Sequence, residues 1–525
     1  MKKRWIGIAV AVAVLAIGAY ALTRIAEQKL HKALADIPGA QIEFKKVSLS
    51  PILGNLEFRD VEFTLRDSTH AVPDVQGHIE AISLEKLRWR SFVKGEAHAR
   101  RLLVRGPVAR LVLPAESGKP AQEDSTARAA QASFLKKVSL SELQVEKAAI
   151  GLCSQKDSLK MTARDIAFSV RDLCVLLAEN RVEYNDSNYS FSVDSLDFID
   201  PAGLSRVLVG HLAIDDAGPV KARDIHAYNC IPKEQLAEKM GKVAAMWYDA
   251  SLDSLYISPL PLSRMMTERC VDIDSVYVAA KKVVLFQDDR YLPAVPYTTL
   301  QESLNAIEIP LHIRATRVQV PSFTFIWETT HVNRGAYPMR NVGIAINSIS
   351  NAPDNRMKLL VSSGHAPGSR LKLTMNIRND KSETTSGTIQ VHDMDISKLD
   401  EFMRPLFGAT IEADIHQIDC SFQGDKHQMT SDFCMLYDNL KVKAWNDSTA
   451  PYQFVAKNSG IVTFLANLVL PKSNPHQPGK DPKRVEVVFE RDPIPPYASY
   501  ILQNLTQGML HTLLPGGSVR KTNKN

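Results

Sequence analysis

Two pairs of acids stand at alternate positions, Asp272 with Asp274 and Asp393 with Asp395. That spacing would let two carboxylates share a divalent cation, or divide general acid and general base work between them. The solvent face of an amphipathic strand produces the same spacing, because alternate side chains point the same way. No Gly-x-Ser-x-Gly elbow, His-Glu-x-x-His helix or Gly-x4-Gly-Lys phosphate loop accompanies the acids, and the histidines are scattered singly. Six cysteines, Cys153, Cys174, Cys230, Cys270, Cys420 and Cys434, lack CxxC or CxxH spacing, which argues against zinc and redox motifs. In an oxidising compartment Cys153 with Cys174, or Cys420 with Cys434, could close a hairpin; buried free thiols fit equally well. No catalytic residue, cofactor or metal is therefore expected, and an envelope hydrolase is the least favoured reading.

The elements that would have to position any such group are strands. Strict alternation of apolar and polar residues runs through Ile42–Lys45, Val47–Leu49, Leu56–Arg59, Val61–Arg66, Ile166–Arg171 and Tyr189–Asp194. It returns in Val271–Asp274, Leu311–Arg314, Phe323–Phe325, Leu371–Ile377 and Ile411–Ile415. Turn-type clusters such as Ser350–Asn355 and Asn379–Ser382 separate the runs and predict a long antiparallel meander. Helices are few. Pro232 opens one over 232–250, with Leu236, Met240, Val243 and Trp247 on one side. Ser397 caps a second that carries Leu399, Phe402 and Leu406 and ends near Gly408. The last spans Tyr497–Leu514, with Tyr500, Ile501, Leu505, Met509 and Leu513 along one side. Pro114–Ser133 and Pro471–Arg484 read as surface loops.

Trp5–Leu22 is an apolar run of eighteen residues preceded by Lys2, Lys3 and Arg4. At about 1.5 Å per residue it makes a helix of roughly 27 Å, close to the thickness of a bilayer's hydrocarbon core. The basic flank belongs in the cytoplasm, so the body is expected in the periplasm, tethered by a single-pass helix in the inner membrane. A cleaved signal peptide ending at Ala19-Tyr20-Ala21 is the competing reading, and it also exports the body. With 525 residues, 45% hydrophobic and 23% charged, the chain is ordinary globular material in two or three domains. Its net charge of +5 lies partly beside the anchor, and no basic patch is interleaved with aromatics, so nucleic acid is not an expected partner.

A strand with one apolar face must cover it, and helices are too few to do so. Either the sheets close on each other as a sandwich, or one long twisted sheet curls into a trough left open to a ligand. An apolar trough in water costs roughly 25 cal/mol per Å² unless something apolar fills it, and acyl chains would. The expected lining is Phe44, Phe58, Phe63, Phe168, Phe191, Ile313, Phe323, Phe325 and Leu373. The fold class is thus mainly β: a long twisted antiparallel sheet curled into a groove or open sandwich, with a few capping helices.

Four stretches resemble the AsmA-like proteins of Gram-negative envelopes, in particular the Bacteroidetes type, which are related to bridge-like lipid-transfer proteins. They are the N-terminal anchor, Val47-Ser48-Leu49-Ser50-Pro51 through Gly54–Val61, the unit Leu102–Leu111, and Arg491-Asp492-Pro493 leading into the terminal helix with Gly508. Ile309–Ile313 before the Phe323–Glu328 strand and Asn341–Asn351 fit the same pattern. The resemblance implies a phospholipid or other acyl-chain ligand, transfer along a β-groove, envelope proteins as further partners and a part in outer-membrane biogenesis or maintenance. Relatives that could bridge an envelope are far longer than this chain. The expected segments are 1–24 (cytoplasmic tip and anchor), 25–113 and 301–470 (AsmA-like β-segments), 134–300 (middle β-segment) and 485–525 (last strand, helix and basic tail). The alternative function is a membrane-tethered scaffold or assembly factor for outer-membrane proteins, built on a closed β-sandwich core.

Overall fold

The computed structural model describes residues 40–50, 53–65, 75–88, 91, 96–112, 137–153, 159–176, 181–183, 189–215, 218–260, 268–291, 293, 298–329, 335–364, 369–380, 383–400, 404, 409–444, 470–475, 479–490 and 497–513. The expected anchor at 1–24 and the loop Pro114–Ser133 lie outside them. The described residues form twenty-two strands and a few short helices, so the protein is mainly β. It divides into two compact units, Met1–Arg223 and Asp224–Asn525, a division that falls inside the expected 134–300 segment.

In the first unit β1 (Ala40–Ser50), β2 (Asn55–Leu65) and β3 (Val75–Glu85) form an antiparallel meander. Both β4 (Glu96–Arg105) and β5 (Val108–Val112) pair with β3; they are two halves of one strand broken at Gly106-Pro107. Next come β6 (Lys137–Cys153), β7 (Leu159–Leu176), the short β8 (Arg181–Glu183), β9 (Tyr189–Val193), β10 (Ser195–Ile199) and β11 (Ser205–Asp215). Here β9 and β10 are again one strand, broken at Asp194, lying between β7 and β11. The division falls within β12 (Val220–Asn229).

The second unit continues with β13 (Ala245–Ile257), β14 (Val271–Asp289), β15 (Leu311–Thr329), β16 (Gly335–Ser350), β17 (Asn355–Gly364) and β18 (Arg370–Asn379). It ends with β19 (Thr385–Asp395), β20 (Ala409–Gly424), β21 (Gln428–Ala444), β22 (Arg484–Glu490) and a terminal helix. Each strand from β15 to β22 pairs antiparallel with the next. The expected all-antiparallel meander is corrected at three ladders, because β4 and β5 run parallel to β6, and β14 runs parallel to β15. In both places a longer connection carries the chain back to the end where it started, which a tight hairpin cannot do.

Several runs that alternate separately in the sequence are single strands in the structure. Four-residue steps join them: Phe58-Arg59-Asp60-Val61, Ala163-Arg164-Asp165-Ile166, Val170-Arg171-Asp172-Leu173 and Ala222-Arg223-Asp224-Ile225. In each step the Asp is in the left-handed region, at φ 51°, 52°, 54° and 50° respectively. Aspartate tolerates this conformation better than most residues. The extra residue is absorbed as a bulge, so the apolar positions on both sides stay on one face and the strand bends.

The irregularities line up across the ladders. In the first unit Asp60 lies in the interval opposite Glu80, and so does Gly106. Lys147 (φ 53°) lies beside Gly106-Pro107, and Asp165 lies opposite the break at Asp194. In the second unit Pro321 lies opposite Asn341 (φ 51°), and Asp393 (φ 53°) lies opposite His416.

The helices are shorter than expected. In place of one helix over 232–250, Lys233–Gln235 is a 3-10 turn and α1 covers only Leu236–Lys239. Gly241 and Lys242 take φ of 88° and 62°, and their N–H groups close on Glu238 and Ala237. That ends the helix, and Trp247 lies in β13 instead. A further helix, α2 (Leu300–Asn305), carries a capping box between Thr299 and Glu302. The second expected helix is a 3-10 turn at Ile396–Leu399, with Phe402 and Leu406 outside the described residues. Its cap is Asp395 rather than Ser397, since Asp395 Oδ1 accepts from both N and Oγ of Ser397. The terminal helix, α3, spans Tyr497–Leu513 much as its periodicity predicts.

Candidate functional site

The bulges keep the apolar residues of each strand on one side, and these gather into separate clusters along each unit. In the first unit Phe44 (8% exposed), Val47, Leu56 and Val61 form a cluster with Ile42, Phe58 and Ile79, drawn from β1 to β3 alone. Phe44 and Phe58 meet edge to face, with ring centroids 5.4 Å apart. Phe63 lies opposite Gly77, where a Cβ would come within 2.6 Å of its ring; glycine lets the aromatic lie flat on the neighbouring strand. Further along, Val145, Phe168, Phe191 and Ile214 occupy successive opposed positions on β6, β7, β9 and β11. The expected lining residues Phe168 and Phe191 are thus direct cross-strand partners.

In the second unit Phe323 and Phe325 stand at alternate positions on β15. Phe323 lies between Val283 and Met339, and Phe325 between Leu285 and Tyr337. Ile313 lies between Ile273 and Ile349, and Leu373 between Val361 and Ile389. Of the nine expected lining residues only Phe44 is buried, and the other eight are half-buried. The clusters containing Phe44, Phe58, Phe191 and Phe323 draw only on neighbouring strands. Among the described residues no side chain of an opposing layer joins them.

Chiefly from β17 to β22, but reaching Trp327 on β15 and Tyr337, Ile346 and Ile349 on β16, the same kind of face is sealed, and the expected lining residue Leu373 packs against this closed core. Phe433 (0% exposed), Tyr437 (1%), Met429 and Met435 form a core with residues of α3, including Leu505, Met509 and Leu513. Gly508 brings α3 onto Phe433, whose Cγ is 2.5 Å from where a Cβ would stand. Lys483 Nζ donates to the carbonyls of His511 and Thr512 at 2.8 and 3.2 Å, satisfying the helix C-terminus. Asn474 ties the preceding segment to β21, accepting from Lys483 N and donating to the Met435 carbonyl. Burial pushes the Tyr437 hydroxyl up to about 12, and the Cys420 thiol likewise to about 12.

The candidate chemical groups are tied up in surface pairs. Arg314 bridges Asp272 and Asp274, and the Asp272 carboxylate also lies 3.5 Å from His312. Asp393 occupies a bulge and Asp395 caps a 3-10 turn. Cys420 and Cys434 are free, opposite Phe433 and Asp419, so adjacent register positions turn them to opposite faces. Cys153 and Cys174 are also free.

Sequence reasoning missed one polar group, at the end of β14. Asp288, 1% exposed, accepts from Arg290 Nε and Nη2 at 2.9 and 2.7 Å, with Glu328 3.7 Å from the guanidinium. Desolvation raises the pKa of neighbouring Asp289, which accepts from Gln287 and from the Trp327 indole. The run Gln287-Asp288-Asp289-Arg290 looks like surface in the sequence; only the fold buries it. Also missed were the partners that complete the apolar face, such as Val145, Met339 and Tyr337; the doubled polar step is the signal that could have brought them into phase. The arrangement is a set of half-buried apolar clusters, with the paired acids Asp272 and Asp274 held by Arg314 on a strand surface. No protein-family model matches this chain, and no curated protein matches it.

Proposed function

We propose that the chain is an AsmA-like protein, anchored in the inner membrane, whose periplasmic body binds and moves phospholipid along its apolar β-face. The observation that carries this reading is the half-buried state of Phe58, Phe191 and Phe323 in clusters drawn from a single layer of strands. Apolar surface left facing water costs about 25 cal/mol per Å², and acyl chains laid along the face would recover it. Transfer needs no reacting group. The membrane anchor, the periplasmic location and the part in outer-membrane maintenance rest on the sequence.

A photoreactive residue at Phe325 or Phe191, irradiated in cells, tests the proposal. Adducts carrying acyl chains are expected, together with lipid recovered after gentle purification. Adducts to proteins alone, from a body purified free of lipid, would overturn it. The sealed region under α3 favours the second reading, a tethered scaffold for outer-membrane proteins, and that outcome would support it.

A further inference from the structure

A helix built into a core turns its apolar stripe inward. On β21 and β22, α3 does so only in part. Among its most buried residues are Asn504 (2% exposed), Gly508 and Thr512 (1%), spaced one turn apart, whereas Ile501, Leu505 and Met509 stay half-buried. Leu513, 2% exposed, is its well-buried apolar contact. The buried Nδ2 of Asn504 has no hydrogen-bond partner among the described residues. An unpaired buried amide destabilises the closed arrangement, and lifting the helix would return it to water.

The ties between helix and sheet are uneven. Lys483 Nζ, just before β22, donates to the carbonyls of His511 and Thr512 and so holds the C-terminal end. The Thr512 hydroxyl donates at 2.8 Å to the Gly508 carbonyl, within the helix rather than to the sheet. Beneath lie Met429, Phe433, Val485 and Val487, each no more than 3% exposed, with Phe433 directly opposite Val485. They alternate along β21 and β22 as Phe323 and Phe325 do along β15. With α3 raised, this stretch would be an uncovered apolar face like the cluster around Phe323.

We infer that α3 is a displaceable cover, lying on β21 and β22 where an acyl chain would lie and lifting about its Lys483-held end to admit one. The inference rests on the acyl-binding reading above and adds regulation to it: helix and acyl chain compete for one face. Such opening is local, leaving the sheet folded. A ligand that binds only the lifted state shifts the balance toward it, and substitutions that favour either state shift it without touching the ligand.

The test places a small diazirine residue at Val487, on the covered face, in the full-length protein and irradiates it in cells. Two kinds of adduct are expected: to α3 from the closed state and to acyl chains from the lifted one. Gly508→Leu, which crowds Phe433, and Lys483→Met, which frees the helix end, should each raise the ratio of acyl to α3 adducts at least threefold. Asn504→Leu, which removes the unpaired amide, should lower it at least threefold, a direction that general loosening of the fold does not produce. In hydrogen exchange of the purified protein, α3 amides should exchange at least tenfold faster than those of β21. Equal exchange in α3 and β21, or an adduct ratio that none of the three substitutions moves, would overturn the inference. If Val487 yields α3 adducts alone while Phe191 still yields acyl adducts, the cover is fixed and this inference alone fails; if neither position yields acyl adducts, the acyl-binding reading fails with it.

Discussion

Phe433 and Phe325 occupy the same kind of position, an inward alternate residue in an antiparallel ladder, yet one is fully buried and the other half-buried. The difference is a layer. Over β21 and β22 the terminal helix lies on the sheet, with Gly508 letting it approach and Lys483 holding its end. Around Phe323 the apolar cluster draws only on the neighbouring strands β13 to β17, while Tyr337, opposite Phe325, packs against the edge of the core that the helix covers. A sheet with this alternation is competent to be either core or binding surface, and what lies on top of it decides which. The protein seals the face over its last strands with α3, whereas the clusters of β1 to β3 and of β6 to β11 take no helix among the described residues.

Stability measurements separate the two regions most sharply. Phe433→Ala is expected to cost about 3–5 kcal/mol in chemical denaturation, because it opens a cavity under a helix that cannot collapse into it. Phe325→Ala should cost less than half as much; equal losses would mean that the face near β15 is sealed too. Gly508→Leu should destabilise by about 1–3 kcal/mol through overpacking against Phe433, read as a fall in melting temperature.

The bulges provide the next contrast. Asp165→Val forces a β-branched residue to a φ of 52° and should cost about 1–2 kcal/mol, whereas Asp165→Gly should be nearly neutral. If Val is tolerated as well as Gly, the bulge does not set the phase of β7. Alkaline pH should act on the sealed region. The pKa of Cys420 rises from its ordinary 9.0 to about 12, and that of Tyr437 from 10.0 to about 12. A raised folded-state pKa contributes stability that is fully present below the ordinary value and is lost as pH climbs toward the raised one. Unfolding free energy should therefore hold to about pH 9 and fall between about pH 9 and 12, and Cys420→Ser with Tyr437→Phe should flatten that fall. The smallest effect is expected from Arg314→Gln, which breaks an exposed bridge to Asp272 and Asp274 and should change stability by less than about 1 kcal/mol.

Much of the strand content was legible because alternation is a local property. Ile42–Lys45 and Val47–Leu49 read correctly as extended with one apolar face, as did β15 around Phe323 and Phe325. Their joining into single long strands was missed, although the doubled polar step, as in Phe58-Arg59-Asp60-Val61, was there to be read. The predicted helix at 232–250 failed because a glycine and a lysine in the left-handed region outweigh a helical spacing of apolar residues. Of the candidate site, the inward aromatics could be picked from the alternation. Their pairing, such as Phe168 with Phe191 or Phe323 with Met339, could not, because register depends on strands distant in the chain.

By itself the sequence determined which side chains share a face, since a period of two, interrupted at Asp and Asn steps, is settled between near neighbours. The tertiary structure alone decided that β14 lies parallel to β15, that the Asp288–Arg290 group is buried, and that α3 covers Phe433 while Phe325 stays half-buried. Each of those depends on segments far apart in the chain meeting at a few ångströms, and no local pattern encodes that meeting.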